Sequence, residues 1–355
     1  MSVESALKYT EFMASTHRST SAGRPTLEMV AREAGVSRAT VSRVVNRRST
    51  VDPQIAEHVN RAIKRLNYVP NHSARSLAKR ASNAVALVVP ENTTKFLRDP
   101  FFASIIDGIA SRLDENDYVL NLLVTVHDPR TKVERFLRSG TVDGTIVLTH
   151  HSGDGPLAEL DTTVPTVFGG RRPFNSGDSP HFYIDTDNVD GAAHAAHHLA
   201  ERGHRRLATI TGQLDKAVGR DRLEGFQRGV REAGLEPPIV IAADFSLDSA
   251  IAATQQLLDE HPDVEAVFVA SDRMAIQTVR TIIRSGRRVP QDIAVVGFGD
   301  MAAATEAQPA LTTIRQPSIE MGHLLAETVL RLIRGDDDVP RHVVMPSELV
   351  IRQTT

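Results

Sequence analysis

The sequence predicts an N-terminal all-α head of the helix-turn-helix type followed by an α/β body of two doubly wound subdomains. Three observations carry this expectation. Residues 24–70 hold short segments with helical apolar spacing, broken by a glycine turn. Residues 82–355 alternate short β-rich runs with helical stretches, the pattern of parallel sheets covered on both faces. Charge divides the same way. Residues 24–80 carry twelve Lys/Arg against four Asp/Glu, a balance of +8. The whole chain stands at −3 and residues 1–23 balance to zero, which leaves −11 for residues 81–355. A basic head on an acidic body implies that the head meets a polyanion while the body resists non-specific contact with it.

The remaining composition narrows the function classes. The 355 residues exceed one small domain. There is no cysteine, which excludes disulfides, thiol catalysis and thiolate metal sites. No apolar run approaches the roughly 20 residues of a membrane helix, and residues 1–23 are polar, Ser/Thr-rich and without the apolar core of a secretory signal. They read as a mobile N-terminal extension, and the chain as cytoplasmic.

In the head, Leu27, Val30, Ala31 and Ala34 fall at i, i+3, i+4 and i+7, one helix face. Thr26 is the candidate N-cap and Gly35 the terminator. Ser37 caps a second helix with Val41, Val44 and Val45 inward. Helix, tight glycine turn and helix make the helix-turn-helix spacing. The outward face offers Arg38, Ala39, Ser42 and Arg43, slender enough for a major groove about 12 Å wide. Asp52-Pro53, a cap followed by proline at the first helical position, opens a third helix lined by Ile55, Val59, Ile63 and Leu66.

The run from Thr26 to Asn46, TLEMVAREAGVSRATVSRVVN, resembles the signature of the lactose/galactose repressor (LacI/GalR) family of transcriptional regulators. The match continues through LNYVPN at 66–71 and Ala74-Arg75-Ser76-Leu77, then at lower density to the C-terminus. The resemblance implies a repressor that binds a pseudo-palindromic DNA operator as a homodimer or tetramer, under control of a small-molecule effector, a sugar or sugar derivative. It places Arg38 and Ala39 at base edges, where an arginine bidentate to guanine discriminates by about 1–3 kcal/mol. Ser37, Thr40, Ser42 and Asn46 become phosphate anchors, which position without specifying, and Arg43 serves either purpose. Thr26, Tyr68, Asn71 and Ala74 complete the expected DNA-contact set. The body is expected to be periplasmic-binding-protein-like.

Pro70 stops the third helix, so the domains read as a 24–70 head, a 71–81 hinge and an 82–355 body. The hinge is too short to be a stable helix alone in water, yet its residues have good helical propensity. The expectation is a segment that folds when docked, at an entropy cost of roughly 1–2 kcal/mol per residue. The resemblance implies that paired hinge helices enter the minor groove and that Leu77 wedges into a base step. Without that resemblance Leu77 reads as an apolar linker residue packing on the body.

Body strands are expected at 84–89, 119–124, 144–148, 166–168, 182–184, 207–211, 239–242, 266–269 and 293–297. Helices are expected at 102–116, 189–202, 222–233, 246–260 and 273–285. These elements divide into two halves: 82–186 with 317–344, and 187–316 with 345–355. A ligand cleft is expected at the strand C-terminal ends. Loop positions there nominate Asn92, Phe101, Phe102, Arg171, Asp187, Arg222, Asp272 and Asp300. A guanidinium and a carboxylate suit sugar hydroxyls or acids, and a phenylalanine can stack on a sugar face. Asp272 reads equally well as an N-cap. The motif RLEGF at 222–226 resembles the family motif whose arginine binds ligand hydroxyls. One departure stands out. Many family members that respond to sugars carry an aspartate where this chain has Gly299, so the carboxylate is missing or displaced to Asp300, which points to an acidic, phosphorylated or otherwise atypical ligand.

Two rival classes have weaker support. Gly297-Phe298-Gly299-Asp300-Met301-Ala302 fits the G-x-G-x-x-A dinucleotide fingerprint of an NAD-dependent oxidoreductase. Pro309 and Pro317 interrupt the βαβ unit that the fingerprint needs after it, and Glu320 is the acid near the required distance. A solute-binding protein would share the body but has no use for the head. His194, His197 and His198 lack further metal ligands nearby. No catalytic constellation, metal site or cofactor is expected.

Overall fold

The structure is a computed structural model that describes residues 25–45, 51–68, 81–91, 93–124, 129–148, 164–171 and 181–355. The N-terminal extension, Asn46, nearly all of the hinge with Asn71, Ala74 and Leu77, and Asn92 lie outside the described residues. The chain divides after Arg80 into two units.

The described part of the head is three helices on a small core. In α1 (Leu27–Ala34) the Thr26 hydroxyl accepts from Met29 N at 3.3 Å, and the helix ends at Gly35 with φ +66°. That backbone is left-handed, where a Cβ is penalised. Ser37 Oγ accepts from Thr40 N at 3.1 Å and starts α2 (Arg38–Val45). Asp52 accepts from Gln54 N at 2.8 Å, with Pro53 opening α3 (Pro53–Arg65). Val30, Val41 and Val59 are fully buried where the helices meet, and Tyr68 closes the same core.

The body holds two six-stranded sheets. The first comprises β1 (Ala84–Val89), β2 (Val119–Val124), β3 (Gly144–Leu148), β4 (Thr166–Gly169), β5 (Phe182–Thr186) and β11 (His342–Met345), in the order β11-β5-β4-β3-β1-β2, all parallel. The second comprises β6 (Leu207–Ile210), β7 (Ile239–Ile241), β8 (Ala266–Val269), β9 (Ala294–Gly299), β10 (Thr312–Arg315) and β12 (Glu348–Val350), in the order β12-β10-β9-β8-β6-β7; β12 pairs antiparallel with β10 and the other pairings are parallel. Central strands such as β1, β3 and β8 are buried at every residue, which is why they read as unbroken apolar runs.

Helices cover both faces of each sheet. On the first, α5 (Pro100–Asp114) and α12 (Ser318–Arg334) pack one face and α6 (Pro129–Arg138) the other. The α5–α12 crossing is close because both helices place glycine there: a Cβ on Gly108 would lie 2.1 Å from the Ile319 carbonyl oxygen. On the second sheet, α7 (Asn188–Glu201) and α8 (Ala217–Glu232) pack one face, with α9 (Leu247–Glu260) and α10 (Asp272–Arg284) opposite. Two short helices, α4 (Thr93–Arg98) and α11 (Ala302–Glu306), fill strand-end loops. The chain passes between the sheets after Thr186, Arg315 and Met345.

The sequence reading named no strand at β10, β11 or β12 and no helix at α4, α6, α11 or α12. The three strands are three or four residues long, too short for a period to show. α8 starts at Ala217 rather than Arg222, so Arg222 sits inside the helix, not at its mouth.

Candidate functional site

Loops at the C-terminal ends of the parallel strands in the two body sheets enclose a cavity of about 350 Å3. Its wall draws on both sheets: Asp99, Phe101, Phe102, Arg171 and Asp185 from the first, and Arg222, Phe245, Asp272 and Gln316 from the second.

Arg222 lies at the centre. It is 5% exposed and projects from the second turn of α8. Nε donates to Asn188 Oδ1 at 2.9 Å, Nη1 to the Ala270 carbonyl at 2.6 Å, and Nη2 to Gln316 Oε1 at 3.1 Å. Its guanidinium carbon stands 3.7 Å from the centroid of the Phe298 ring. Each of these hydrogen-bond acceptors is neutral. Burial pulls the Arg222 pKa down to about 10, against the opposing pull of Asp185, Asp272, Asp221 and Asp99. The group therefore stays charged at neutral pH while its hydrogen bonds go to uncharged oxygens.

Six acidic residues line the same space, and burial raises the pKa of three of them, Asp99, Asp185 and Asp272. Asp99 caps α5, accepting from Phe101 N at 3.1 Å. Asp185 accepts from Arg171 N at 3.0 Å, Thr186 N at 2.8 Å and Asn188 Nδ2 at 3.2 Å, and is pushed up to about 6. Asp272, also pushed up to about 6, accepts from Met301 N at 2.9 Å and from the Thr313 hydroxyl. The N-cap of α10 is Ser271 rather than Asp272. Asp272 instead rests on the glycines of β9: a Cβ on Gly297 would lie 2.5 Å from its Oδ1, and one on Gly299 3.2 Å from its Oδ2. Gly299 also has φ +143°. The G-x-G of the fingerprint thus makes room for a carboxylate, and the place where an aspartate was expected is filled from α10.

These shifts give a pH prediction. An acid whose folded pKa exceeds its unfolded value adds stability that fades as pH rises through the interval between them. For Asp272 that interval runs from 3.8 to about 6. Asp272→Asn removes the titration. Its stability relative to the unsubstituted protein is expected to improve between pH 4 and pH 7, by up to about 3 kcal/mol for a two-unit shift. Paired denaturant titrations at the two pH values read the change, and a flat difference would refute the assignment.

Two ion pairs join the halves at the cavity. Lys216 Nζ stands 2.6 Å from Glu91 Oε2, and Arg171 Nη2 lies 2.6 Å from both carboxylate oxygens of Asp221.

Of the residues nominated from sequence, Phe101, Phe102, Arg171, Arg222 and Asp272 line the cavity. Asp187 does not. Its side chain caps α7, accepting from Asp190 N at 2.9 Å, while its neighbours Asp185 and Asn188 face the cavity. Asp300 does not either. Arg315 and Arg352 hold its carboxylate, at 2.8 and 2.6 Å, on a backbone with φ +58°. The sequence reading passed over Glu91, Asp99, Lys216, Phe245 and Gln316. Gln316 sits at a crossing between the halves, the one signal that could have found it. Phe245 has φ +67°, unusual for a bulky residue, and its ring lies against Gly212.

In the head, Ser37, Arg38, Ala39 and Arg43 are exposed, with Thr40 and Ser42 half-buried beside them. Arg38 Nε pairs with Glu28 at 3.1 Å, both largely in solvent. Thr26 and Ser37 are occupied as caps. Tyr68, expected at DNA, lies in the helical core at 8% exposure. Among the described residues no group of His, Cys, Asp or Glu is placed to hold a metal, and no helix is long and apolar enough to cross a membrane.

Residues 26–71 match the family model for bacterial regulatory proteins, lacI family, and residues 196–355 match a periplasmic binding protein-like domain. The HTH-type transcriptional regulator CelR of Thermobifida fusca is 42% identical over 340 residues, covering 93% of this chain and 98% of that protein. A solved CelR–cellobiose complex is 40% identical with a TM-score of 0.74, over 94% of this chain and 100% of the other. The lac repressor dimer bound to operator and an anti-inducer is 29% identical with a TM-score of 0.83, over 94% and 99%.

Proposed function

The chain belongs to the lacI family of bacterial regulatory proteins, and from that premise we propose that it is a cytoplasmic repressor, without enzymatic activity, whose hold on a pseudo-palindromic operator is set by a neutral sugar bound in the body cleft. That the protein is a dimeric, metabolite-controlled DNA-binding transcription regulator follows from its relatives. The sugar and the residues that read it are the finer claim.

One observation carries that claim. Arg222 is buried in the cleft with neutral hydrogen-bond partners and a phenyl ring, so its charge is available to polarise ligand hydroxyls. Around it stand amide, carboxylate and aromatic groups: Asn188, Gln316, Asp185, Asp99, Phe101 and Phe245. Polar groups on one side and ring faces on another suit a molecule with hydroxyls at its edge and C–H bonds on its faces. Against the five basic residues of the lining, Arg98, Arg171, Lys216, Arg222 and Arg273, stand six acidic ones, so the lining offers an anion no net excess of positive charge and the Gly299 departure is compatible with a neutral ligand. The cavity lies in the range of about 300–1,000 Å3 usual for small-molecule sites. The relative solved with cellobiose points to the same class.

A thermal-shift screen of the full chain with mono- and disaccharides and their phosphates tests this. A neutral sugar at a hundredfold over its Kd should add about 2.7 kcal/mol of stability. Stabilisation by sugar phosphates alone would reverse the assignment of ligand charge.

At DNA, the reading is that Arg38 and Ala39 address base edges, with Arg43 beside them and Ser42, Thr40 and Asn46 near phosphates. The hinge residue Leu77 is proposed as a wedge at a central base step. Leu77→Ala is then expected to weaken operator binding far more than binding to random duplex, read by competition anisotropy at fixed salt. Equal losses on both would remove the wedge.

A further inference from the structure

We propose that Lys216–Glu91 and Arg171–Asp221 form an electrostatic latch that holds the two halves of the body closed when no effector is present. Each pair takes one partner from each half. Glu91 follows β1 and Arg171 follows β4, on the first sheet; Lys216 precedes α8 and Asp221 lies within it, on the second.

Both pairs are short, and three of the four partners are sheltered, Arg171 being the half-exposed one. Lys216 and Glu91 are each 10% exposed at 2.6 Å, and Asp221 is 9% exposed with Arg171 reaching both of its oxygens. Charges so placed attract strongly because little water lies between them. Opening the cleft separates them and lets water in, so the latch is the difference between that attraction and the hydration regained. Both bonds grip the first turns of α8, the stretch that also carries Arg222. Closing the latch therefore sets where the central guanidinium stands relative to the first sheet.

The consequence is a population effect. An effector that binds the closed form has an apparent Kd equal to its intrinsic value divided by the closed fraction. Breaking the latch to leave about a tenth of molecules closed weakens apparent affinity by about tenfold. That readout rests on the cleft being the effector site, whereas closure without effector does not.

The test uses the absence of cysteine from the chain. Asp337→Cys on the first half and Glu236→Cys on the second, both exposed, accept one spin label each. Double electron–electron resonance on the effector-free full chain then reports the separation of the halves. Arg171→Gln and Glu91→Gln are each expected to lengthen and broaden the distance distribution, and the exchanged pair Glu91→Lys with Lys216→Glu to restore it. Arg171 is 37% exposed, so its substitution is tolerated even where a change at the more buried pair harms folding. If effector-free Arg171→Gln gives the same distribution as the parent, the latch is overturned, whatever the cleft binds. A parent distribution that is intact beside a lost sugar response would instead indict the proposed effector site.

Discussion

Arg222→Ala is expected to abolish the effector response while leaving effector-free operator affinity nearly unchanged. The guanidinium is a buried cation hydrogen-bonded to neutral acceptors, so a ligand that meets it gains charge-assisted hydrogen bonds. Two such bonds, at about 1.5–3 kcal/mol each, correspond to more than about a hundredfold in affinity. The substitution also leaves Asn188 Oδ1, the Ala270 carbonyl and Gln316 Oε1 without their donor, at roughly 1–3 kcal/mol each before water enters. A fall of several degrees in Tm is therefore expected alongside the lost response. Operator affinity is expected to be spared because residue 222 lies outside the head that carries the proposed DNA contacts and its loss leaves both ion pairs between the halves in place. Anisotropy of a labelled operator, with and without the stabilising sugar, measures both quantities. A variant that still releases or tightens on operator at the parent's sugar concentration would dismiss Arg222 as the central ligand.

Arg38→Ala is the counterpart in the head. Arg38 projects from the first turn of α2, and its present partner is Glu28, in a pair exposed on both sides. Such a pair contributes little and yields readily to a stronger acceptor. On DNA the guanidinium is expected to exchange Glu28 for the O6 and N7 of a guanine. The variant should lose about 1–3 kcal/mol of discrimination at one base pair in each half-site, about 5- to 150-fold. Binding to random duplex should fall only slightly, with a salt slope shallower by less than one unit. Affinities for a set of single-substituted operators decide it. Loss spread evenly over all sequences would make Arg38 a phosphate contact.

The head was legible because its grammar is local. Thr26, Gly35, Ser37 and the Asp52-Pro53 pair each act within four residues of themselves, and the Val and Leu positions repeat at helical spacing. Alternation in the body announced two wound halves for a similar reason, since a buried parallel strand needs an apolar run and each crossover needs a helix. Short strands with mixed burial, such as β11 and β12, carried no such mark.

The cleft was only half legible. Arg222 was found through its motif, and Phe101, Phe102 and Arg171 through their loops. Asp187 and Asp300 lie outside the lining while Asp185 lies within it, because a loop position does not say which way a side chain turns. Asp187 commits its carboxylate to α7, and Asp300 commits its own to Arg315 and Arg352, 15 and 52 residues away.

Residue order alone was enough for the helix-turn-helix head, the two wound halves, the crossings near Asp187, Gln316 and Met345, and the family. The head and the wound halves rest on contacts within a turn of helix or on a repeating apolar period, and the family on the resemblance of the run from Thr26 to Asn46. Only the folded chain could establish that Asp272 rests on the glycines of β9, that Tyr68 serves the head core, and that Glu91 meets Lys216 across 125 positions of chain. Those facts depend on side-chain directions and distances that arise when distant strands are brought side by side. Charge pairing, burial and the pKa values they produce are properties of that assembled space, not of the order of residues.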